Sequence, residues 1–232
     1  MRSKTNTGAN MKYKNYIWDF DGTLYNTYVH EIKVMETVLG RHGLLETIDL
    51  EEMYRWMRVG YGNITRFEGV TDEIYNEFRR EGLKVGAEEH EPKILPFEDC
   101  GKVLSAIVEN GGKNFIYTHR DKTTLTWHLT ERGMIDYFTD MVTADEHFPM
   151  KPAPDGLLAL CKRNGLDASE SIMIGDRIID GASGRGAGMS GALVNYPPHL
   201  PDGRSPAEGV DLDYTATSLT EFARLMDIPL GE

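Results

Sequence analysis

Two acidic residues, Asp19 and Asp21, stand one residue apart at the end of an apolar run and directly before Gly22. The run is rich in aromatic and β-branched residues, so residues 13–20 are predicted to form a short buried strand that turns at the glycine. Side chains two apart on a strand point the same way, so the two carboxylates are expected to converge and repel unless a cation or a shared proton intervenes. A polar turn without chemistry explains the pair equally well until partners are found.

Candidate partners for the two acids follow later apolar runs of the chain. They comprise a hydroxyl group, a lysine, further nitrogen-bearing side chains and two more acids. Carboxylates gathered at one end of a sheet require a hard divalent cation, and oxygen ligands favour magnesium. The lysine and the hydroxyl would then serve an anionic group held beside that metal. These candidates are Thr118, His119, Arg120, Lys151, Asp176 and Asp180.

Strand-like apolar runs alternate with amphipathic helical stretches over most of the chain. This order predicts an α/β fold in which helices cover both faces of a parallel sheet. The capping-box spacing of Ser218 and Glu221 predicts a further helix near the C-terminus. Predicted strands span residues 13–20, 113–118, 140–143, 171–174 and 191–194, and predicted helices span 98–109, 123–132, 154–164 and 181–191.

Residues 26–93 interrupt this alternation, because their apolar positions recur at helical spacing and no convincing strand separates them. They are expected to form an inserted helical subdomain over a core of residues 12–25 and 94–232. Ligands bind beyond the carboxyl ends of parallel strands, so the insertion would close over Asp19. The loop that begins at Arg58 is a candidate specificity loop, and an ordinary turn with Arg58 in solvent remains an open alternative.

Composition limits the classes of function. The formal net charge of -12 argues against general nucleic-acid binding, which depends on clustered lysine and arginine. No apolar run approaches the roughly 20 residues of a membrane span, so a cytoplasmic protein without membrane association is expected. Residues 1–11 are polar and are expected to be a disordered or appended N-terminus. Cys100 and Cys161 are too few and too isolated for a disulfide framework and are expected to be reduced packing residues.

The glycine spacing of residues 186–191 matches the G-x-G-x-x-G fingerprint of dinucleotide-binding proteins, but its position in the chain does not. That fingerprint must follow a strand, whereas this segment precedes one. No dinucleotide site is therefore expected there.

The ordered motifs of the chain resemble those of the haloacid dehalogenase superfamily, specifically its phosphoglycolate phosphatase-like branch with a helical cap. The first motif is residues 19–23, the second is Thr118, the third is Lys151, and the fourth is Gly175-Asp176 with Asp180. The resemblance extends from Met11 to the C-terminus. It implies an α/β architecture with a Rossmann-like parallel-sheet core and an inserted all-helical cap subdomain.

The resemblance also implies the chemical roles of the motif residues. Asp19 would be the nucleophile that forms an aspartyl-phosphate, and Asp21 would be the general acid and then the base. Thr118 and Lys151 would hold the phosphoryl oxygens. The Mg²⁺ ligands that it implies are Asp19, Asp21 through its backbone carbonyl, Asp176 and Asp180. Independently of the resemblance, His119 and Arg120 are candidate substrate contacts because they follow Thr118 at the rim, and a solvated loop remains an open alternative for both. Arg58, in the candidate specificity loop, is a further candidate substrate contact.

Within this resemblance, a magnesium-dependent phosphatase of small phosphorylated metabolites, monomeric or homodimeric, is the preferred interpretation. Asp21 and the acids of the fourth motif argue against dehalogenation, because expelling a halide requires no proton donor. A phosphomutase of sugar phosphates remains an alternative, since His30 and Lys33 lie near where a mutase would place its cap residues. A non-catalytic phosphometabolite-binding protein is the other alternative, although neither Asp19 nor Asp21 is missing.

Overall fold

The computed structural model describes residues 10–59, 61–85, 94–196 and 212–231. Within these residues, six parallel strands form one sheet, which confirms the predicted α/β fold. The strands are β1 (Asn15–Trp18), β2 (Lys113–Tyr117), β3 (Phe138–Val142), β4 (Ser171–Gly175), β5 (Ser190–Val194) and β6 (Tyr214–Ala216). Their spatial order, β3-β2-β1-β4-β5-β6, is that of a doubly wound sheet, with its topological switch point between β1 and β4.

Helices follow the strands or fill the insertion. Three belong to the predicted insertion, namely α1 (Tyr28–Arg41), α2 (Leu50–Val59) and α3 (Asp72–Val85), and a short 3₁₀ helix spans Tyr61–Arg66. The others connect or follow the strands of the sheet. They are α4 (Cys100–Glu109), α5 (Lys122–Glu131), α6 (Asp155–Asn164), α7 (Ile178–Gly186) and α8 (Leu219–Leu225).

The alternation of side chains along β1 explains how the sheet is buried on both faces. Tyr16 and Trp18 belong to the cluster on one face, where the Trp18 ring lies 5.3 Å from that of Phe222. Ile17 points to the opposite face and belongs to the cluster that includes Leu157 of α6. Because both faces are covered, all four residues of the strand are buried, including the polar Asn15 at its start.

Three neighbouring strands end at the same edge of the sheet. The backbone N–H of Asp19, the first residue after β1, donates to the Ile174 carbonyl of β4 at 2.8 Å. The N–H of Thr118, the first residue after β2, donates to the Val142 carbonyl of β3 at 3.0 Å. Asp176 directly follows β4. The fold thereby brings the first, second and fourth motifs to one edge.

The helices of the insertion have their own hydrophobic cluster, built from buried residues between positions 28 and 78. The two segments that join the insertion to the sheet run side by side. The Asn26 N–H donates to the Leu95 carbonyl, and the Phe97 N–H donates to the Leu24 carbonyl, both at 2.9 Å. The chain therefore leaves and re-enters the sheet region at one place.

Several local predictions differ from the structure. The helix expected over residues 181–191 is α7, which begins earlier, at Ile178, and ends at Gly186 before β5. The edge strand β6 was not predicted, because three residues carry too little periodic signal. Residues 1–9 lie outside the described residues, whereas Met11, expected to be outside the fold, packs partly buried against the sheet.

Other local predictions agree with the structure. The glycine pattern that begins at Gly186 leads into strand β5 and does not follow a strand. This agrees with the prediction that it is not a dinucleotide site. Both cysteines are free, with Cys100 buried and Cys161 half-buried. The Ser218 hydroxyl accepts the Glu221 N–H at 3.1 Å, which confirms the predicted helix cap.

Gly22 is required both by its backbone conformation and by its neighbour. Its φ is +76°, and a Cβ atom there would lie 2.2 Å from the Tyr28 ring at the start of α1. We expect Gly22→Ala to lower the free energy of unfolding by roughly 2–5 kcal/mol, the sum of left-handed strain and overpacking. Urea unfolding measures this loss.

Gly43 provides the matched control for that substitution. Its φ is +68°, but no atom lies within 4 Å of the Cβ position. We expect Gly43→Ala to lose only the strain, about 1–2 kcal/mol. Equal losses for the two variants would show that the contact with Tyr28 has no energetic weight.

Candidate active site

A buried lysine links two of the predicted acids. Lys151 Nζ donates to Asp19 Oδ1 at 2.7 Å and to Asp180 Oδ1 at 2.8 Å. All three side chains are almost inaccessible to water, at 0% exposure for Lys151 and Asp180 and 3% for Asp19. The remaining Asp180 oxygen accepts the Arg177 backbone N–H at 3.1 Å, which ties the acid to the start of α7. The first, third and fourth motifs therefore meet.

The ionisation of these acids follows from burial opposed by charge. Burial, together with Asp180 and Asp176, raises the pKa of Asp19 to about 7, although Lys151 and Arg177 act in the opposite direction. Burial also acts to raise the pKa of Asp180, but Lys151 and Arg177 hold it below its ordinary value. The Asp19 carboxylate is thus under-compensated by the protein's own cations, and a further positive charge would keep it ionised.

Asp19, Asp176 and Asp180 fit a metal site. Each offers a carboxylate oxygen, and the three atoms lie within 4.8 Å of one another. Asp19 Oδ2 and Asp176 Oδ1 each lie 3.5 Å from the Thr23 hydroxyl. Within the described part of the chain, neither oxygen accepts a hydrogen bond from a lysine or an arginine, because Lys151 and Arg58 bind the other oxygen of each acid. A hard cation prefers such a set of buried carboxylate oxygens. The Asp21 carboxylate does not belong to this group.

Asp21 has a separate cation. Arg120 Nε lies 3.1 and 3.2 Å from the two Asp21 oxygens, and Arg120 Nη2 lies 2.5 Å from Oδ1. Burial acts to raise the pKa of Asp21, but this paired contact outweighs it and holds the pKa below the ordinary value. The two acids of the first motif therefore contact different cations, Lys151 for Asp19 and Arg120 for Asp21.

His119 and Thr118 contact the residues around them. His119 Nε2 accepts the Lys151 backbone N–H at 3.1 Å, so this side chain holds the loop that carries the lysine. Burial, with Lys151 and Arg177, lowers the pKa of His119 to about 4, which keeps the imidazole neutral at pH 7. The buried Thr118 hydroxyl accepts the Arg120 N–H at 3.2 Å.

The insertion reaches the site through two side chains. Arg58 Nη2 donates to Asp176 Oδ2 at 2.7 Å and to the Asp176 carbonyl at 3.1 Å. The Tyr28 hydroxyl donates to the same carboxylate at 2.5 Å, and the Arg58 guanidinium lies 5.1 Å from the Tyr28 ring. Arg58 is only 9% exposed and belongs to the last turn of α2, so the alternative of a solvent-exposed loop residue is wrong.

The two residues considered for a mutase differ in burial. His30 is buried within α1, and Lys33 pairs with Glu36 at the surface at 3.1 Å. Tyr28 and Arg177 are the residues near the acids that the sequence analysis missed. The sequence could have indicated Arg177, because it directly follows Asp176 of the fourth motif. Nothing in the sequence distinguishes Tyr28 except its position near the start of the insertion.

Comparison with known proteins decides the family. The family model described as haloacid dehalogenase-like hydrolase matches residues 16–194, which is most of the chain. This chain belongs to the haloacid dehalogenase-like hydrolases. The matched region includes all four motifs, and the family predicted from them is confirmed.

Relatives of this haloacid dehalogenase-like hydrolase include named phosphatases. The pyrophosphatase PpaX of Halalkalibacterium halodurans is 25% identical over 225 residues, covering 94% of this chain and 99% of the relative. The N-acetylmuramic acid 6-phosphate phosphatase of Pseudomonas aeruginosa is 25% identical over 205 residues, covering 87% and 90%. These names agree with the predicted enzyme class, a phosphoric monoester hydrolase.

Solved structures agree with the fold of this haloacid dehalogenase-like hydrolase. The crystal structure of a HAD family hydrolase from Deinococcus radiodurans R1, with bound phosphate and sodium, superposes with a TM-score of 0.75 at 19% identity. The superposition covers 95% of this chain and 98% of the Deinococcus radiodurans chain. Among the described residues, no helix combines the length and the apolarity that crossing a membrane requires.

Proposed function

We propose that this protein is a magnesium-dependent phosphatase that hydrolyses small phosphomonoesters through an aspartyl-phosphate on Asp19. It would act in the cytoplasm, as a monomer or a homodimer. Mg²⁺ would be held by Asp19, Asp176 and Asp180, with the Asp21 backbone carbonyl as a further ligand. When bound, the ion supplies positive charge to the phosphoryl oxygens and to the Asp19 carboxylate.

One observation carries the proposal. Lys151 Nζ bridges Asp19 and Asp180 at 2.7 and 2.8 Å inside a group of buried acids whose ligand atoms lie within 4.8 Å. An ordinary structural ion pair does not require a third buried carboxylate beside it. A site that transfers a phosphoryl group requires a nucleophile, fixed positive charge and a hard metal ion together.

The two acids of the first motif would divide the chemistry. Asp19 attacks phosphorus, the ester oxygen leaves, and the phosphoryl group becomes covalently bound to the Asp19 carboxylate. Asp21 donates a proton to the leaving oxygen and then accepts one from the water that hydrolyses the intermediate. Lys151 and Thr118 hold the phosphoryl oxygens while charge redistributes.

Arg120 would regulate the proton on Asp21. Its guanidinium favours the ionised carboxylate, which suits the base step and opposes the acid step. An anionic substrate that shares this guanidinium weakens its hold on Asp21 and lets the carboxyl carry the proton. Arg120 would thus contact substrate and acid in turn, while His119 would act by positioning Lys151.

Residues 26–93 would form a cap over a core of residues 12–25 and 94–232. The separate hydrophobic cluster of the helices and the paired joining segments support this division. Contacts of Arg58 and Tyr28 with Asp176 support closure over the acids. A cap in this position excludes water and limits the substrate to a small metabolite.

The names of the relatives suggest which substrates to test. One relative is named a pyrophosphatase, one an N-acetylmuramic acid 6-phosphate phosphatase and one a phosphoglycolate phosphatase from Cupriavidus necator. Pyrophosphate, phosphoglycolate and sugar phosphates therefore form the first panel. Nucleic acid is a poor candidate because of the net charge of -12.

Removal of the metal tests the proposal. We expect phosphate release from the best substrate to fall by about 10²- to 10⁴-fold in EDTA, since the buried acids then lack their counter-charge. Excess Mg²⁺ should restore the rate, and this recovery is the control against unfolding. Release that is unaffected by EDTA would contradict the metal requirement, and no release from any panel member would contradict the phosphatase.

A further inference from the structure

Arg177 is a cation at the site to which neither the motifs nor the proposed mechanism gives a role. It lies between Asp176 and the start of α7, and its Nε atom is buried without a hydrogen-bond partner among the described residues. The nearest acidic oxygen, Asp180 Oδ2, is 4.0 Å from that Nε, which is beyond hydrogen-bond reach. The same oxygen already accepts the Arg177 backbone N–H at 3.1 Å.

The other cations of the site differ in this respect. Lys151 donates to two carboxylates, Arg120 donates to Asp21, and Arg58 donates to Asp176 at 2.7 Å. Among the four cations in the described part of the chain that line the site, only Arg177 has no hydrogen-bonded carboxylate. A buried guanidinium N–H that has given up water without a partner is unfavourable, so its position calls for an acceptor.

The charge of Arg177 acts on all three metal-binding acids. Its charge interacts with Asp180, with the Tyr28 hydroxyl, with Asp176 and with Asp19. Arg177 thus lies within electrostatic range of these acids from the N-cap position of α7, while Tyr28 contacts Asp176 from the insertion. An anion that is bound by Asp19 and Lys151 lies within the field of this guanidinium.

Charge balance favours the transferred phosphoryl group as the acceptor. The four carboxylates of the site are matched by its four cations in the described part of the chain. A divalent metal ion adds two positive charges, and a phosphomonoester dianion adds two negative ones. The phosphoryl group alone thus completes the balance, and no second acidic group on the substrate is required.

On the basis of the proposed phosphatase function, we propose that Arg177 donates a hydrogen bond to an oxygen of the transferred phosphoryl group. The planar guanidinium presents several N–H donors in a fixed geometry that matches phosphate oxygens. Arg177 would then bind substrate and product phosphate whatever alcohol is esterified. It would be a phosphate-binding residue in addition to Thr118 and Lys151.

Titration calorimetry with inorganic phosphate in magnesium buffer tests this role directly. We expect Arg177→Met to weaken phosphate binding by about 10- to 100-fold and Arg177→Lys to weaken it less. Arg185→Met is the matched control, because Arg185 lies in the last turn of α7, at the opposite end from Arg177, is 42% exposed and pairs with Asp213 at 2.9 Å. It should bind phosphate as the wild type does. Urea unfolding of each variant identifies any general loss of structure.

Steady-state kinetics separate the phosphoryl group from the leaving group. Phosphoglycolate and ethyl phosphate carry the same phosphoryl group, but only the first has a carboxylate on its leaving group. We expect Arg177→Met to reduce kcat/KM for both by a similar factor, about 10-fold or more. A loss confined to phosphoglycolate would overturn the proposal in favour of a site for the leaving group.

Phosphate binding can be measured independently of phosphatase activity, so failure of one proposal can be distinguished from failure of the other. A wild-type protein that binds inorganic phosphate but hydrolyses no ester would refute the proposed function and leave Arg177 as an anion-binding residue. Phosphate affinity of Arg177→Met within about twofold of the wild type, or no phosphate binding by the wild type, would overturn the role of Arg177. A loss of affinity that Arg185→Met shares would also overturn it.

Discussion

Asp19→Asn is expected to abolish phosphate release, with a fall in kcat of about 10⁴- to 10⁶-fold. The amide has nearly the same size and still offers an oxygen to Lys151, so the buried contact at 2.7 Å has a counterpart. It is a poor nucleophile, because its nitrogen is not basic and its oxygen carries no full charge. Activity is therefore lost while the fold is retained.

A second aspartate gives the matched control. Asp136 is exposed and lies in a short 3₁₀ helix before β3, away from the acids of the site. Asp136→Asn should keep the wild-type rate, and both variants should unfold at wild-type urea concentrations. A rate for Asp19→Asn within about 100-fold of the wild type would show that Asp19 is not the nucleophile, because loss of a nucleophile has a much larger effect.

The positions of the motifs at the sheet edge could be predicted, since they depend on local patterns. The buried strand β1 ends in three consecutive aromatic or β-branched residues directly before Asp19, and the chain turns at Gly22, whose φ is +76°. The same reasoning applies to Thr118 after β2 and Asp176 after β4. Parallel strands in one sheet end at one edge, so the order of elements alone brings these residues together.

The pairing of charges at that edge could not be predicted. A sequence shows that Arg120 and Asp21 are both present, but not that the guanidinium reaches this carboxylate at 2.5 Å. Asp176 likewise accepts from Arg58, which is separated from it by 118 residues of chain. Such contacts depend on how the helices of the insertion pack onto the sheet, and no local periodicity encodes that packing.

A role for Arg177 could not be predicted from the sequence for the same reason. Its place beside Asp176 was visible, but an arginine after an acid is ordinarily a solvated surface residue. Only the burial of its Nε and the absence of a carboxylate within hydrogen-bond distance among the described residues distinguish it. The inference therefore comes from an unused donor, which a sequence does not reveal.

Lys151→Met is expected to damage both catalysis and folding. Removal of this charge leaves Asp19 and Asp180 buried beside each other without their shared donor, at 3% and 0% exposure. The free energy of unfolding should fall by about 3–5 kcal/mol, as for other buried ion pairs broken on one side. Phosphate release should fall by about 10²-fold or more, since the phosphoryl oxygens lose a fixed cation. Urea unfolding and steady-state rates measure the two effects.

Two comparisons separate the buried charge from the lost packing. Lys162→Met, at an exposed position in α6, should change stability by less than about 0.5 kcal/mol. Adding Asp180→Asn to Lys151→Met removes one uncompensated acid, so it should recover about 1–3 kcal/mol of stability but no activity. No recovery would show that the lysine acts through its packing and not through its charge.

The pH dependence of the Lys151→Met variant follows from the same argument. Burial already raises the pKa of Asp19 to about 7 with Lys151 present, and removing the lysine raises it further. The folded state then binds a proton that the unfolded state releases above about pH 4, so stability falls as the pH rises toward the folded pKa. The stability deficit relative to the wild type should therefore be smaller at about pH 5 than at about pH 8. A deficit that is constant over this range would mean that the two carboxylates find another cation once the lysine is gone.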